Sequence, residues 1–213
     1  MTALIGYHAG LLLRSQRWLP PVLLHAAFLA VGVRPGEPVL GALGFAAAGL
    51  LPVAAWSVRI CLTQEPPAAR DVVAAAAGRA RAHLAALLTG TALPGLLGTA
   101  AVLGVTALGD RRTVGAPTAL ATGFLVTAAC VLTGAAVGAL ASRPFVNAPG
   151  WSVLALVLGS LLALVTTGSP AKHALTAVVT GAPPSWTAAV GAVLLAAATA
   201  AVSCRATGSR LSA

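Results

Sequence analysis

The sequence predicts an all-α integral membrane protein with six transmembrane helices, and three observations carry that prediction. The first is composition. Of 213 residues, 58% are hydrophobic and 8% charged, with a mean hydropathy of +0.93. A soluble domain is about a quarter charged, and a chain of this length has too little interior to hide so much apolar surface from water, so lipid covers the rest. The second is the spacing of apolar runs, six of them near the roughly 20 residues that cross a hydrocarbon layer. The third is what separates the runs: every gap holds Pro, Gly or charge.

In chain order, residues 1–17 form an interfacial segment. Leu4, Ile5 and Leu11–Leu13 alternate with Tyr7, His8, Arg14, Ser15 and Gln16 ahead of a Pro-Pro break, compatible with an amphipathic helix bending into the first span. Its charges follow the apolar part, so it reads as retained rather than as a cleaved signal. Residues 18–213 form the membrane domain, with spans at about 18–33, 39–62, 83–108, 115–141, 150–167 and 186–204. The gaps read "RPGEP", "GDRRTVGAP", "SRPFVNAPG" and "GSPAKHALTAVVTGAPP", besides the long polar stretch after the second span. Pro20, Pro21, Pro52 and Pro94 fall inside spans, where neighbouring helices can satisfy the freed carbonyls. Trp18, Trp151 and Trp186 each stand at the start of a span, as interfacial anchors do.

Orientation follows from Lys and Arg on alternate sides. One side collects Arg14, Arg17, Arg59, Arg70, Arg79, Arg81, Arg143, Arg205 and Arg210; the other has Arg34, Arg111, Arg112 and Lys172. The imbalance places both termini in the cytoplasm of a multi-pass plasma-membrane protein. The net charge of +9 is not a nucleic-acid signature, because the arginines are scattered between apolar runs without interleaved aromatics.

The stretch "LTQEPPAARDVVAAAAGRARAHLA", 62–85, departs from this pattern. Thr63 suits an N-cap, the Pro66-Pro67 pair a first turn, and Gly78 a C-terminal stop. A helix of about 66–77 is too short and too polar to cross, so it lies along the cytoplasmic face or projects from it. Joining two spans requires fewer residues.

Motifs for chemistry in this chain are sparse. No phosphate-binding loop and no HExxH occurs, and no carboxylate is expected within a span. Cys61, Cys130 and Cys204 stand apart in or beside apolar runs and read as small buried hydrophobes. Ser160 and Ser169 have no base placed to activate them. The in-span polar candidates are His25, read as a packed, hydrogen-bonded helix contact, and Arg59, read as snorkelling to the headgroups. Gly134 with Gly138, and Gly95 with Gly98, have the small-residue spacing of close helix pairs.

The stretches "LLLRSQRWLPPVLLHAAFLAVG" and "LLPVAAWSVRICLTQEPPAARDVVAAAAGRARAHLA", with the order of parts, resemble the permease subunit of type-2 ATP-binding-cassette exporters of the small actinobacterial kind. The resemblance implies that residues 1–17 are an elbow helix and 63–78 a coupling helix. Glu65, Arg70, Asp71, Val72 and Val73 would dock on a separate ATPase subunit, with Arg143 and Phe145 in a second inner loop. It also implies a second permease subunit, homo- or heterodimeric, and a path for a peptide, lipid or small molecule. The chain would be no enzyme and hold no cofactor; ATP and magnesium would belong to the partner. The alternative is a stand-alone membrane accessory or immunity protein. A membrane-embedded enzyme would need a polar cluster converging from several spans, which the sequence does not display.

Overall fold

The structure, a computed structural model, describes residues 1–112, 114–143, 145–146, 148–182 and 186–208. Among them it is all-helical: α1 (Thr2–Arg14), α2 (Leu19–Gly32), α3 (Val39–Thr63), α4 (Pro67–Ala77), α5 (Arg79–Leu108), α6 (Ala116–Leu140), α7 (Pro149–Val165), α8 (Pro170–Val179) and α9 (Trp186–Gly208). Arg210, counted above with the cytoplasmic charges, lies outside the described residues, as do parts of the 142–150 and 168–185 connectors.

Proline starts these helices. It stands in the first two positions of α2, α4, α6, α7 and α8, and none of those five has a side-chain N-cap hydrogen bond. A pyrrolidine ring presets the helical φ, and its missing N–H would be unpaired there anyway. The cap expected from Thr63 is therefore corrected: Thr63 ends α3, donates its hydroxyl to the Arg59 carbonyl at 2.7 Å, and leaves Pro66 at the N-cap of α4.

The axis of the bundle is the α3–α6 pair. Two-thirds (67%) of the apolar window of each is buried, against 33% for α5 and 22% for α9. The sequence states why these two approach so closely. A Cβ on Gly134 would run into the Leu51 carbonyl, and one on Gly138 into that of Ala55, so α6 lays a glycine on the α3 backbone at successive turns. The Gly95–Gly98 pair behaves differently, since Gly98 faces Thr127 and Leu50 while nothing lies near Gly95. α5 joins through Gly90, whose Cβ would stand 2.7 Å from the Val58 Cα. α3 and α5 run on through Pro52 and Pro94.

Four helices, α3, α5, α6 and α9, are long and apolar enough to cross a membrane. Their bounds lie within about four residues of the expected spans. The other two expected spans differ. α2 has 14 residues, about 21 Å of helix, short of the hydrocarbon thickness. α7 has 17 residues and bends by 46° into α8, so the two together make a fifth candidate crossing. α8 lies against α3, α6, α7 and α9, with Ala171, Ala174 and Val178 buried in the core cluster around Leu51, Val126 and Cys130.

The two ends of the bundle are built differently. At one end the α2–α3 and α5–α6 connectors are stitched together: Asp110 donates its N–H to the Glu37 carbonyl at 2.9 Å, and Val39 donates to that of Asp110 at 3.2 Å. At the other end lie α4, the α1–α2 link, the start of α5 and the α6–α7 connector, and with them most of the arginines, among them Arg17, Arg70, Arg79 and Arg143.

Candidate functional site

α4 stands apart from the bundle. Of the other helices it packs only against α5, its neighbour in the chain, and none of its side chains is buried. Gly78, with φ +86°, closes α4 and opens α5 in one residue, a conformation that a Cβ would strain. The helix is amphipathic. Val72 is 69% exposed, Asp71 and Ala75 share that outer surface, and Val73 and Arg70 are half-buried.

Glu65 is not on that outer surface. It precedes α4 and is buried, lining a cavity together with His8 of α1. Two hydrogen bonds hold the backbone here, one local and one not: Arg70 reaches back to donate Nη2 to the Glu65 carbonyl at 3.0 Å, and Gln64 donates Nε2 to the His8 carbonyl at 3.3 Å. The turn between α3 and α4 is thereby tied to both α4 and α1.

Around Glu65 lies a cavity of about 460 Å³, lined from α1 by His8, from α4 by Arg70 and Asp71, from α5 by Arg79 and His83, and from the α6–α7 connector by Arg143. His8 is 1% exposed. Among the described residues His83 Nε2 and Glu65 Oε1 have no hydrogen-bond partner, while His8 is set against the Ala82 backbone of α5. A buried polar group left unmatched costs about 1–3 kcal/mol, so these two atoms set the cavity apart from ordinary packing. Burial pushes the His8 imidazole below its ordinary value, and the Glu65 carboxylate pulls it the other way. Burial first, and then Glu65, raise the Tyr7 phenol.

Composition and spacing did not reveal this convergence. His8 and His83 were not among the expected site residues, although His8 lies four residues before Leu12 on the buried stripe of α1. That spacing was the available signal. This polar cluster gathers at one end of the bundle, mainly from the short helices and connectors, and is not one converging from several spans. No group of three or more His, Cys, Asp or Glu side chains among the described residues is placed to hold a metal.

A second cavity of about 560 Å³ adjoins the first, sharing Glu65, Arg70 and Arg143, and adds Arg17, Arg59, Gln64 and Ser152. Arg59 is half-buried and donates Nε to Ser152 Oγ at 2.8 Å; that hydroxyl donates to the Ala141 carbonyl at 2.6 Å. So Arg59 ties α3 to the start of α7, where free snorkelling was expected. His25 is packed on α2 at 2% exposure, and its ring nitrogens have no partner among the described residues, so the expected hydrogen bond is absent. It lines neither cavity, and the two in-span candidates do not form one site. Phe145, 44% exposed, stands two residues after Arg143 and lines neither cavity. Cys61 and Cys130 are buried and Cys204 partly so, all as free thiols.

Compared with known protein families, with curated proteins and with solved structures, the chain finds no match.

Proposed function

We propose that this chain is the membrane permease subunit of an ATP-binding-cassette exporter. It pairs with a second permease subunit, and a separate ATPase subunit binds ATP and magnesium and drives passage of a peptide, lipid or small molecule. α4 is the docking element. The observation that carries this reading is an amphipathic helix with no buried side chain, held by a one-residue joint at the arginine-rich end. A helix that presents Asp71, Val72 and Ala75 outward at that end has the shape of a groove-binding element: small and apolar side chains for contact, rim charge for register.

In this reading six segments cross the plasma membrane and both termini are cytoplasmic. α2 crosses with Trp18 and Val33 at its ends and a locally thinned bilayer, and α7 with α8 makes one bent crossing. Reporter fusions at Ala213 and beside Arg111 then report opposite sides, the former inside; the same side for both would break the topology.

Purification from the native membrane tests the function. An ATPase subunit accompanies the chain, ATP hydrolysis appears only in its presence, and Val72→Asp lowers its recovery while the amount of inserted protein is unchanged. A chain that purifies without any ATPase, or a Val72→Asp variant that retains it in full, would sink the reading and leave the stand-alone accessory protein.

A further inference from the structure

The second cavity is lined by four arginines from four separate segments: Arg17 in the α1–α2 link, Arg59 in the last turns of α3, Arg70 on α4 and Arg143 after α6. Membrane topology asks only that arginines lie on one side; it does not ask that they share one cavity. Against four cations the lining holds a single carboxylate, Glu65, and that side chain also borders the first cavity beside His8 and His83. Arg17, Arg70 and Arg143 have no ion pair among the described residues, where the one ion pair is Arg112 with Asp110 at the opposite end. Converging like charges repel unless an anion stands between them.

Three further features suit an anion. Ser152 holds the Arg59 guanidinium in one orientation by the 2.8 Å bond, which reduces the freedom lost when a ligand is gripped. The start of α4 opens on the cavity through Pro66 and Pro67, adding the positive end of an 11-residue helix. The volume of about 560 Å³ falls in the range of small-ligand sites.

We infer that this cavity binds the phosphate group of an anionic ligand. Arginine forks match phosphate oxygens in pairs, and basic pockets between helices at the cytoplasmic face are where anionic lipid headgroups bind. A soluble phosphate would offer the same oxygens. The inference does not rest on α4 docking to an ATPase, because the cavity is formed by this chain alone.

The test is thermal unfolding of the full chain in phosphatidylcholine nanodiscs, with phosphatidylglycerol or inorganic phosphate as probe. A ligand that binds only the folded state raises the unfolding temperature. The parent rises with phosphatidylglycerol, and the double variant Arg17→Gln/Arg143→Gln loses most of the rise, with at least about tenfold weaker apparent affinity. Without probe that variant is as stable as the parent or more so, since removing crowded like charges relieves repulsion; a merely structural pair would give the reverse. The variant Arg111→Gln/Arg112→Gln, which removes the same charge from exposed positions at the opposite end, keeps the full rise. A parent that responds only to phosphatidylglycerol has a lipid headgroup as its ligand, and one that responds equally to inorganic phosphate takes a soluble anion. No rise with either probe, or an equal loss in both double variants, would overturn the inference.

Discussion

α4 and α8 are the two short amphipathic helices that interrupt the march of apolar ones, with 11 and 10 residues. Both begin with proline, and both follow a break after a longer apolar helix. Their settings are opposite. α8 is wedged among four helices and buries Ala171, Ala174 and Val178, whereas α4 buries no side chain and packs against α5 alone. Helical stability in proteins comes mainly from packing an amphipathic face. α8 uses its face inside the molecule, whereas α4 is left with its face uncovered by the rest of the chain.

The sharpest way to break the comparison is to put a charge on each helix. Val178→Asp places an unpaired carboxylate in the core, with an expected loss of about 3–5 kcal/mol, seen as a collapse of inserted yield or of the unfolding midpoint in detergent. Val72→Asp on α4 should stay within about 0.5 kcal/mol of the parent. Equal losses would mean that α4 is packed as α8 is.

Ala75→Pro is next in size. It removes a helix hydrogen bond and clashes with the preceding turn, at about 3 kcal/mol or more. Because α4 touches only α5, that loss should stay local: amide exchange accelerates across 67–77, while the unfolding midpoint of the bundle holds. A fall in the global midpoint would show α4 to be part of the cooperative core. Gly138→Ala probes the scaffold that both helices hang from. Its methyl meets the Ala55 backbone, so a loss of about 1–3 kcal/mol is expected, and thermal melts of the single variant measure it.

The smallest effect is a pH dependence at the root of α4. His8 has a folded pKa below its ordinary 6.5. The folded state therefore binds fewer protons than the unfolded one as pH falls through that value. Stability is fully present above about 6.5 and declines below it until the folded pKa is reached. His8→Gln should flatten that slope in melts taken across the window, and an unchanged slope would place the titration elsewhere.

The helices α3, α5, α6 and α9 were legible in the sequence because each is one apolar run closed by proline or charge. α2 was legible both as apolar and as short, since the run at 18–33 is itself shorter than a full crossing. What was hidden about α8 was its burial, because Ala171, Ala174 and Val178 sit among Lys172 and His173 and the connector looked wet. The helix at 67–77 and its stop at Gly78 could be read from local backbone chemistry. The inward turn of Glu65 could not, because it depends on α1 returning from sixty residues away. Arg59 likewise met Ser152 across 93 positions, a pairing that no local pattern encodes.

The backbone stitch between Glu37 and Asp110 has a mechanical consequence. It fastens the α2–α3 corner to the α5–α6 corner through main-chain hydrogen bonds, which side-chain substitutions other than proline leave in place. The opposite end holds the two cavities, walled by side chains from α1, α3, α4, α5 and the α6–α7 connector. One corner of the molecule is therefore written into the backbone, and the other into residues that substitution can change.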